Sequence, residues 1–350
     1  MNYKEIIDSL DTEKIEKLLY SLGAQDVKDK GDYLITQTIC HNEDPSDASD
    51  KLYYYKNSHS FVCYTECGSM TIFKFLQHYY ETREIVYDWR TDILEVARTC
   101  TFGGIQEGFK RAAYKSQRDE YEPRKIRKDL PEFSPNVLKV FSKAYPPEWL
   151  SNGISRASMD KYNILYSISQ NKIIIPHYDV HGRLVGIRGR ALDEWEIENV
   201  GKYMPVQIEQ TWYSHPLSLN LYGLNISAPN IKKYGICYIG ESEKFCMQMD
   251  GFSFPNCAVA VCGSQLNKYH IDLLMRYCAP REIVVCFDSE EKKNENTYFK
   301  KLWSLCSKYK NYCNISFVYD RHRILKLKDS PTDCGEEIFK TLVKERVKIK

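Results

Sequence analysis

The sequence predicts an α/β protein, α+β overall, whose last third forms a mainly parallel sheet with helices on both faces. Four short apolar runs, rich in β-branched and aromatic residues, lead to this prediction: "YGICYIG", "CAVAVCG", "EIVVCFD" and "ISFVYD". Helical stretches such as "KYHIDLLMRYC" separate these runs. Regular alternation of short strands with helices is typical of parallel sheets.

Length and composition limit the possible classes of protein. A chain of 350 residues can hold two or three domains. Its formal net charge is only +2, so a nucleic acid would have to be bound by local basic patches. No uninterrupted apolar run approaches the ~18 residues of a membrane span. Thirteen cysteines without an export signal indicate reduced thiols or metal ligands, and hence a cytoplasmic protein.

Composition divides the chain into three domains and a linker. The first domain, 1–110, opens with "MNYKEIIDSLDTEKIEKLL", whose pattern predicts a single amphipathic polar helix. A helical pattern near 12–22 ends at Gly23, and a region rich in cysteine and tyrosine follows. A charged, poorly apolar stretch at 111–130 reads as a linker. The second domain, 131–230, contains a hairpin with its turn at "VHG", and the third, 231–350, carries the predicted parallel sheet.

Acidic residues follow the predicted strands of the third domain. Glu241 comes after the first strand, Asp288 and Glu290 after the third, and Asp329 and Asp333 after the fourth. Ligands of such sheets bind beyond the carboxyl ends of the strands. Carboxylates gathered there repel one another unless a cation is bound, and Mg²⁺ and Mn²⁺ prefer carboxylate ligands. Two such ions would activate an attacking hydroxyl and stabilise a leaving pyrophosphate.

Helix capping is the alternative explanation for these acids. Asp333 followed by Glu336 fits a capping box for the last helix. Ser242 and Ser289 are also possible caps, and the acids beside them would then favour a helix N-terminus. Capping explains any one acid better than catalysis does, but the combination of acids after several strands favours the metal site.

The segments "YIGESEKFCMQMDG", "AVAVCGSQLN" and "VVCFDSEEKK" resemble a Toprim domain, the metal-binding fold of DnaG-type primases, topoisomerases and some nucleases. Glu241 matches the family's Glu after the first strand, and Asp288 matches the leading Asp of its Asp-x-Asp motif. Glu290 stands where a second Asp is usual. Asp329 and Asp333 resemble the later acidic pair of DnaG-type primases. The resemblance implies Asp288, Glu290 and Asp329 as ligands of Mg²⁺ or Mn²⁺, and Glu241 as a ligand or proton acceptor.

The second domain resembles the N-terminal half of the bacterial primase polymerase core, over "KYNILYS", "KIIIPHYDVHGRLVGIRGRAL", "GKYMPV" and "NLYGL". In that family a hairpin and a following Lys-Tyr supply basic contacts to nucleic acid. Arg188 and Arg190 lie two residues apart and so share one face of a strand. The resemblance implies that these two arginines, with Lys161 and Lys202, hold template or triphosphate. The alternative is that they are ordinary solvated charges.

The stretch "TICHNEDPS … FVCYTECGSMTIFKFL" resembles the zinc ribbon that opens DnaG-type primases. The resemblance implies Cys40, His41, Cys63 and Cys67 as ligands, a set that suits a closed structural Zn²⁺ site. Two spacings depart from the family, because Cys40 and His41 are adjacent and the second pair is Cys-x-x-x-Cys. An extended backbone would point adjacent side chains apart, so His59 is a possible substitute. A metal-free cluster of thiols is the alternative.

Together these resemblances cover nearly the whole chain and imply a compact DnaG-like primase of phages or mobile elements. Such an enzyme makes a short RNA primer from NTPs on single-stranded DNA. Little sequence follows the Toprim-like segment, so no separate helicase-docking domain is expected, and a replicative helicase would have to be engaged otherwise. A Toprim-type nuclease and a catalytically silent, DNA-binding replication adaptor are the two alternative functions.

Overall fold

The computed structural model describes residues 2–44, 48–83, 85–103, 129–263, 265–290 and 295–349. The predicted charged linker lies outside these residues except for its last two positions. The described residues form two units. The first comes from Met1–Arg127 and Ala191–Met204, and the second from Lys128–Arg190 and Pro205–Lys350. The second unit therefore includes most of both predicted later domains.

Helices and strands alternate along most of the described chain. The α-helices are α1 (Tyr3–Asp8), α2 (Thr12–Ser21), α3 (Ile72–Thr82), α4 (Glu95–Thr99), α5 (Pro147–Ser151), α6 (Arg156–Lys161), α7 (Glu194–Asn199), α8 (Leu224–Tyr234), α9 (Glu243–Asp250), α10 (Lys268–Tyr277), α11 (Glu295–Ser307) and α12 (Glu336–Lys344). The strands are β1 (Lys28–Asp29), β2 (Tyr33–Thr36), β3 (Leu52–Tyr55), β4 (Ser60–Cys63), β5 (Gly68–Met70), β6 (Leu165–Ser167), β7 (Lys172–Tyr178), β8 (Leu184–Ala191), β9 (Tyr203–Pro205), β10 (Gln207–Ile208), β11 (Thr211–Trp212), β12 (Ile236–Gly240), β13 (Ala258–Ala260), β14 (Glu282–Val285), β15 (Asn314–Phe317) and β16 (Val347–Lys348).

The opening stretch forms two helices, α1 and α2, and not the single amphipathic helix that its pattern predicts. The carboxylate of Asp11 accepts hydrogen bonds from the backbone N–H groups of Glu13 (2.9 Å) and Lys14 (3.3 Å), and so caps α2. An N-cap residue has an extended backbone, which interrupts the preceding helix. Helix α2 ends beside Gly23, whose φ of +98° is of the kind that favours glycine.

The first unit contains a five-stranded sheet in the order β1-β2-β3-β4-β5, with antiparallel neighbours. Side chains of alternate positions face the core, among them Leu34, Tyr54 and Phe61. The ring of Phe61 stacks on Phe75 of α3 with 4.3 Å between ring centroids, so α3 covers this face of the sheet. The alternate residues, including Tyr53, remain partly exposed on the other face.

The predicted hairpin is formed by β7 and β8, within a four-stranded sheet of order β6-β7-β8-β9. In its turn, Asp179 accepts hydrogen bonds from the backbone of His181 (3.0 Å) and Arg183 (2.9 Å), and Gly182 has a φ of +80°. The Gly supplies the left-handed backbone that the turn requires, as predicted. On β8, a Cβ at Gly186 would overlap the ring of His215, so only glycine allows this close approach.

The second unit also contains the predicted mainly parallel sheet, of order β13-β12-β14-β15-β16. Neighbouring strands are parallel except for β15 and β16, which are antiparallel. Side chains from α8, α10 and α11 pack with one face of the sheet in a single apolar core. On the other face, Tyr238 lies edge-on to Phe339 of α12, with 5.5 Å between ring centroids. The predicted fold class, with helices on both faces of this sheet, is therefore confirmed.

Within the described residues, no helix has the length and apolar character needed to cross a membrane.

Candidate functional site

A cluster of three thiols and one imidazole lies at the end of the antiparallel sheet. The possible ligand atoms of Cys40, His41, Cys63 and Cys67 all lie within 4.8 Å of one another. The Nδ1 atom of His41 is 3.4 Å from the sulfur of Cys40 and 3.5 Å from each of the other two sulfurs. A tetrahedral Zn²⁺ with ordinary bond lengths would hold nitrogen and sulfur ligands about 3.6 Å apart. The donor set and its spacing therefore fit a closed Zn²⁺ site.

A turn, and not an extended strand, brings the adjacent Cys40 and His41 to the same side. The N–H groups of His41 and Asn42 donate to the carbonyl oxygen of Thr38 at 3.3 and 3.2 Å. The amide of Asn42 also donates to that carbonyl, at 3.1 Å. The possible substitute His59 lies elsewhere, since its Nδ1 is 3.1 Å from the Tyr54 hydroxyl. The turn thus removes the objection that adjacent residues cannot share a metal.

Hydrogen bonds within this cluster shift the pKa values of its thiols in a way that favours binding of a cation. Hydrogen bonds with Cys63 and Cys67 raise the pKa of Cys40, whereas hydrogen bonds from Cys40 and Cys67 lower the pKa of Cys63. One thiolate is thereby favoured before any metal binds, and metal binding displaces the remaining protons. The other ring nitrogen of His41, Nε2, lies 3.3 Å from the Thr65 hydroxyl, a contact that orients the ring.

Two acids meet at the carboxyl edge of the parallel sheet, after β12 and β14. A carboxylate oxygen of Glu241 accepts a hydrogen bond from the backbone N–H of Asp288 at 3.2 Å. Burial and the nearby charge of Asp288 raise the pKa of Glu241 to about 8. The charged form of such a pair needs a cation to offset the repulsion. This edge can therefore hold a divalent ion and exchange a proton near neutral pH.

The same edge includes Glu290 and a tyrosine that the sequence pattern did not single out. The carboxylate of Glu290 pairs with Lys301 of α11 at 2.5 Å. The hydroxyl of Tyr298, also in α11, donates to the carbonyl oxygen of Asp288 at 2.7 Å. Burial, followed by the charges of Glu241, Glu290 and Asp288, raises the pKa of Tyr298. Tyr298 is thus part of the acidic edge, although nothing in its sequence neighbourhood indicates this.

The two later acids have different positions. The backbone of Asp329 accepts from Ser289 at 2.8 Å, and Lys328 donates to the carbonyl of Ser289 at 2.7 Å. These two bonds place Asp329 beside the Asp288–Glu290 segment. Asp333 instead pairs with Lys244 of α9 at 2.6 Å.

The side-chain caps suggested for Asp333 and Ser242 do not form in the part of the chain that the structure describes. The N-cap of α12 is Gly335, and no side chain caps that helix, so Asp333 and Glu336 do not form a capping box there. Asp333 accepts from the backbone N–H of Ser330 at 2.8 Å instead. Ser242 lies at the N-cap of α9 but makes no capping hydrogen bond through its side chain.

Three of the four predicted basic residues form ion pairs within the second unit. Arg190 binds both carboxylate oxygens of Glu148, at 3.0 and 2.5 Å. Lys161 pairs with Asp250 at 2.5 Å. Arg188 pairs with Glu243 at 2.7 Å, and only 12% of its side chain is exposed. Arg188 and Arg190 are therefore not the simple solvated charges of the alternative explanation. Lys202, which belongs to the first unit, accepts from Ala191 through its backbone at 2.9 Å.

The outer face of the antiparallel sheet carries a tyrosine cluster, consisting of Tyr33, Tyr53, Tyr55 and Tyr64. The ring centroids of Tyr33 and Tyr53 are 5.2 Å apart, and those of Tyr53 and Tyr64 are 5.0 Å apart. The hydroxyls of Tyr55 and Tyr64 are 2.8 Å apart. Sequence reasoning noted the abundance of tyrosine here but assigned it no function. The signal was the alternation in "KLYYYKN", which puts Tyr53 and Tyr55 on one face.

A shallow surface pocket lies next to the acidic edge. Ser289 and Tyr298 line it on the side of the edge. The rest of its wall is mainly apolar and aromatic: Phe287, Val318, Tyr319, Asp320, Leu325 and Pro331. An aromatic wall beside a possible metal site suits a flat ring and its attached phosphates.

The comparisons with known proteins agree with the predicted resemblance. No family model matches the chain. The SPbeta prophage-derived uncharacterized protein YorJ of Bacillus subtilis is 32% identical over 98% of this chain and 96% of its own length. The DNA primase of Campylobacter jejuni is 34% identical over 38% of this chain, which spans only 20% of that primase.

Among solved structures, the Aquifex aeolicus primase, crystallised as its zinc-binding and RNA polymerase domains, matches 99% of this chain and 85% of that chain, at 17% identity and a TM-score of 0.46. The sequence match to a DNA primase confirms the predicted resemblance to this class of protein. Because the YorJ match covers nearly the whole of both chains, this chain belongs to the family of the prophage-derived protein YorJ, and it shares part of its sequence with bacterial DNA primases.

Proposed function

We propose that this protein is a DNA primase that synthesises short RNA primers on single-stranded DNA during replication of phage or mobile-element DNA. The meeting of Glu241 with Asp288 at the carboxyl edge of the parallel sheet carries this proposal. These acids are 47 positions apart in the chain, so the fold has brought them together. Their position is the one that ligands of parallel sheets occupy. The partial sequence match to bacterial primases supports this choice of reaction.

The acidic edge would catalyse nucleotidyl transfer. Asp288, Glu290 and Asp329 would hold Mg²⁺ or Mn²⁺, which supplies charge stabilisation at the α-phosphate and the leaving pyrophosphate. The buried carboxylate of Glu241 would accept the proton of the attacking hydroxyl or complete the ligand set. Asp333 would act from a distance, because its ion pair with Lys244 ties the chain after Asp329 to α9.

The Cys/His cluster would hold one structural Zn²⁺. Three buried or half-buried sulfurs and His41 Nδ1 form a closed set of four donors, which leaves no coordination position for a substrate. Binding of the metal would fold the turn at Cys40 onto the β4–β5 hairpin. The zinc would therefore support the adjacent tyrosine cluster and take no part in the reaction.

The tyrosine cluster would bind the DNA template. Nucleic-acid bases stack on partly exposed aromatic rings without requiring a defined sequence, and each stacked base contributes about 1–3 kcal/mol. Tyr53 and Tyr55 lie nearly parallel, with 6.1 Å between ring centroids, a spacing that presents two stacking surfaces side by side. This surface would bind single strands better than duplexes, whose bases are not accessible.

The base of the incoming NTP would lie against the aromatic side chains of the surface pocket beside the acidic edge. The ring of Tyr319 would face the base, and Ser289 and Tyr298, which line the same pocket, would lie near the phosphates. Arg190, Lys161 and Lys202 would contact triphosphate or template. The partner of Arg190, Glu148, is half exposed, so a phosphate arriving from solvent would compete with it for the guanidinium. A replicative helicase is a further proposed partner.

One assay tests the proposed function against its two alternatives. The protein is incubated with single-stranded DNA, labelled NTPs and Mg²⁺ or Mn²⁺, and the products are separated by length. Short RNA products that depend on the template support the primase. Cleaved DNA supports a Toprim-type nuclease, and retained DNA without products supports a silent adaptor. The Glu241→Gln variant is the matched control, since it must abolish any activity that belongs to the acidic edge.

A further inference from the structure

A buried ion pair connects the β7–β8 hairpin to the first turn of α9. Glu243, the first residue of α9, is 0% exposed. One of its carboxylate oxygens accepts from Arg188 Nη1 at 2.7 Å and from His177 Nε2 at 3.1 Å. Its other oxygen is buried and, among the described residues, receives no hydrogen bond. The carboxylate is therefore held mainly by these two side chains of the hairpin.

Arg188 also reaches the end of a second strand of the parallel sheet. Its Nη1 lies 3.4 Å from the carbonyl oxygen of Cys262, just after β13. Strands β12 and β13 are neighbours in the sheet. One guanidinium thus contacts the segments that follow two adjacent parallel strands, at the edge where Glu241 lies.

Neither a metal nor a phosphate suits this location. Ligand atoms of His177, Glu243 and Cys262 lie within 4.8 Å of one another, as in a metal site. The guanidinium of Arg188, however, already neutralises the carboxylate and would repel a cation. The same carboxylate, together with burial, leaves Arg188 poorly suited to bind a phosphate.

The chain between this ion pair and Glu241 is short and tightly packed. Only Ser242 separates Glu241 from Glu243. At Gly240, a Cβ would overlap the ring of Phe245 in α9, so β12 and α9 are in close contact. A displacement of Glu243 would therefore be transmitted to Glu241. Catalytic groups tolerate little displacement, because an error of about 1 Å can cost a hundredfold in rate.

We propose that Arg188 and Glu243 are positioning residues that hold Glu241 in its metal-binding and proton-accepting geometry against Asp288. This inference rests on the proposed function of the acidic edge, and it replaces the expected contact of Arg188 with template or triphosphate. His177 supports Glu243 from the neighbouring strand. Arg188 and Glu243 act as one unit, since each is the main charged partner of the other.

The test combines Mn²⁺ binding with kinetics in a double-mutant cycle. Arg188→Gln, Glu243→Gln and the double variant are loaded with Zn²⁺, and free Mn²⁺ is then titrated without DNA or nucleotide. Each single variant should bind Mn²⁺ at least tenfold more weakly and show a similar loss in kcat, with the KM for NTP unchanged. The loss of Mn²⁺ affinity and of kcat in the double variant should be no larger than in the more strongly affected single variant. Arg183→Gln, which removes an exposed arginine of the same hairpin, should match the wild type.

Several outcomes would overturn the proposal. One is a folded Glu243→Gln variant with wild-type Mn²⁺ affinity. Another is an Arg188→Gln variant that raises the KM for NTP or flattens the salt dependence of DNA binding, which would indicate a direct phosphate contact. If the single variants unfold, the proposal is tested on the double variant, which buries no unpaired charge. Wild-type Mn²⁺ affinity in the double variant would refute the proposal.

The Mn²⁺ measurement also separates this proposal from the proposed function. A wild-type protein that binds Mn²⁺ but makes no primers argues against primase activity, while the variants still report on the positioning of Glu241. A wild-type protein that does not bind Mn²⁺ at all refutes the positioning proposal.

Discussion

Replacement of Asp288 by asparagine removes one charge from the acidic edge and leaves two backbone contacts of this position in place. Glu241 accepts from the backbone N–H of residue 288, and the Tyr298 hydroxyl donates to the carbonyl oxygen of that residue. Both contacts survive the substitution, because neither uses the side chain. Asparagine also has nearly the same size as aspartate, so any change in behaviour reports on the charge.

The effect on stability without divalent ions follows from the raised pKa of Glu241, about 8 against an ordinary 4.5. The folded protein holds a proton that the unfolded chain has lost, so stability falls as the pH rises from 4.5 towards 8, by about 3 kcal/mol at pH 7. Burial is the larger cause of the raised pKa, and the charge of Asp288 is the second. Asp288→Asn should therefore raise the free energy of unfolding by about 1 kcal/mol at pH 7.

Addition of Mg²⁺ should make the wild type more stable than Asp288→Asn. A ligand at a hundred times its dissociation constant stabilises the folded state by about 2.7 kcal/mol, and Asp288→Asn should lose most of this gain. Primer synthesis should fall by orders of magnitude. Urea unfolding with and without Mg²⁺, next to the primer assay, measures all three effects. Near-normal synthesis, or equal stabilisation of variant and wild type by Mg²⁺, would refute the catalytic assignment of Asp288.

Three further predictions concern other parts of the molecule. Protein purified without chelator should contain about one Zn²⁺ per chain by elemental analysis. Cys67→Ser should lower this zinc content and speed hydrogen exchange in β2–β5. A metal-free wild type would contradict the zinc site. Joint replacement of Tyr53 and Tyr55 by alanine should weaken binding of single-stranded DNA by about 1–3 kcal/mol per lost stacked base, whereas phenylalanine at both positions should preserve it, as fluorescence anisotropy at fixed salt would show. Burial lowers the pKa of His270 to about 4, so its contribution to stability is present above pH 6.5 and is lost as the pH falls towards 4, by up to about 3 kcal/mol. His270→Gln keeps a capping residue at the start of α10 and should reduce this loss in urea unfolding at pH 5 relative to pH 7, and an unchanged pH dependence would contradict the assignment.

Much of the fold could be predicted because its signals are local. The alternation of apolar runs with helical stretches predicted the parallel sheet, and the left-handed backbone of Gly182 was expected from the hairpin pattern. The single opening helix was predicted wrongly, because the periodic pattern of apolar residues continues across Asp11. The preference of that side chain for an N-cap outweighs the periodicity at one position.

The candidate site was only partly predictable. The residue types around Cys40 and Glu241 indicated soft ligands and a cluster of acids, which is a matter of composition and spacing. The sequence did not show that a turn would bring Cys40 and His41 to one side, nor that Tyr298 would join the acids. The turn depends on hydrogen bonds to the carbonyl oxygen of Thr38. The position of Tyr298 depends on how α11 packs against the sheet.

The sequence by itself determined the alternation of strands and helices in the last third of the chain, the chemistry available at each strand end there and the placement of Tyr53 and Tyr55 on one face. Only the tertiary structure decided which charges meet. Arg188 lies 55 positions from Glu243, and its guanidinium donates to that buried carboxylate, a contact that the sequence pattern did not indicate. The physical reason is that a long-range ion pair depends on the packing of whole elements, in this case the hairpin against α9. No local pattern in either segment specifies that packing.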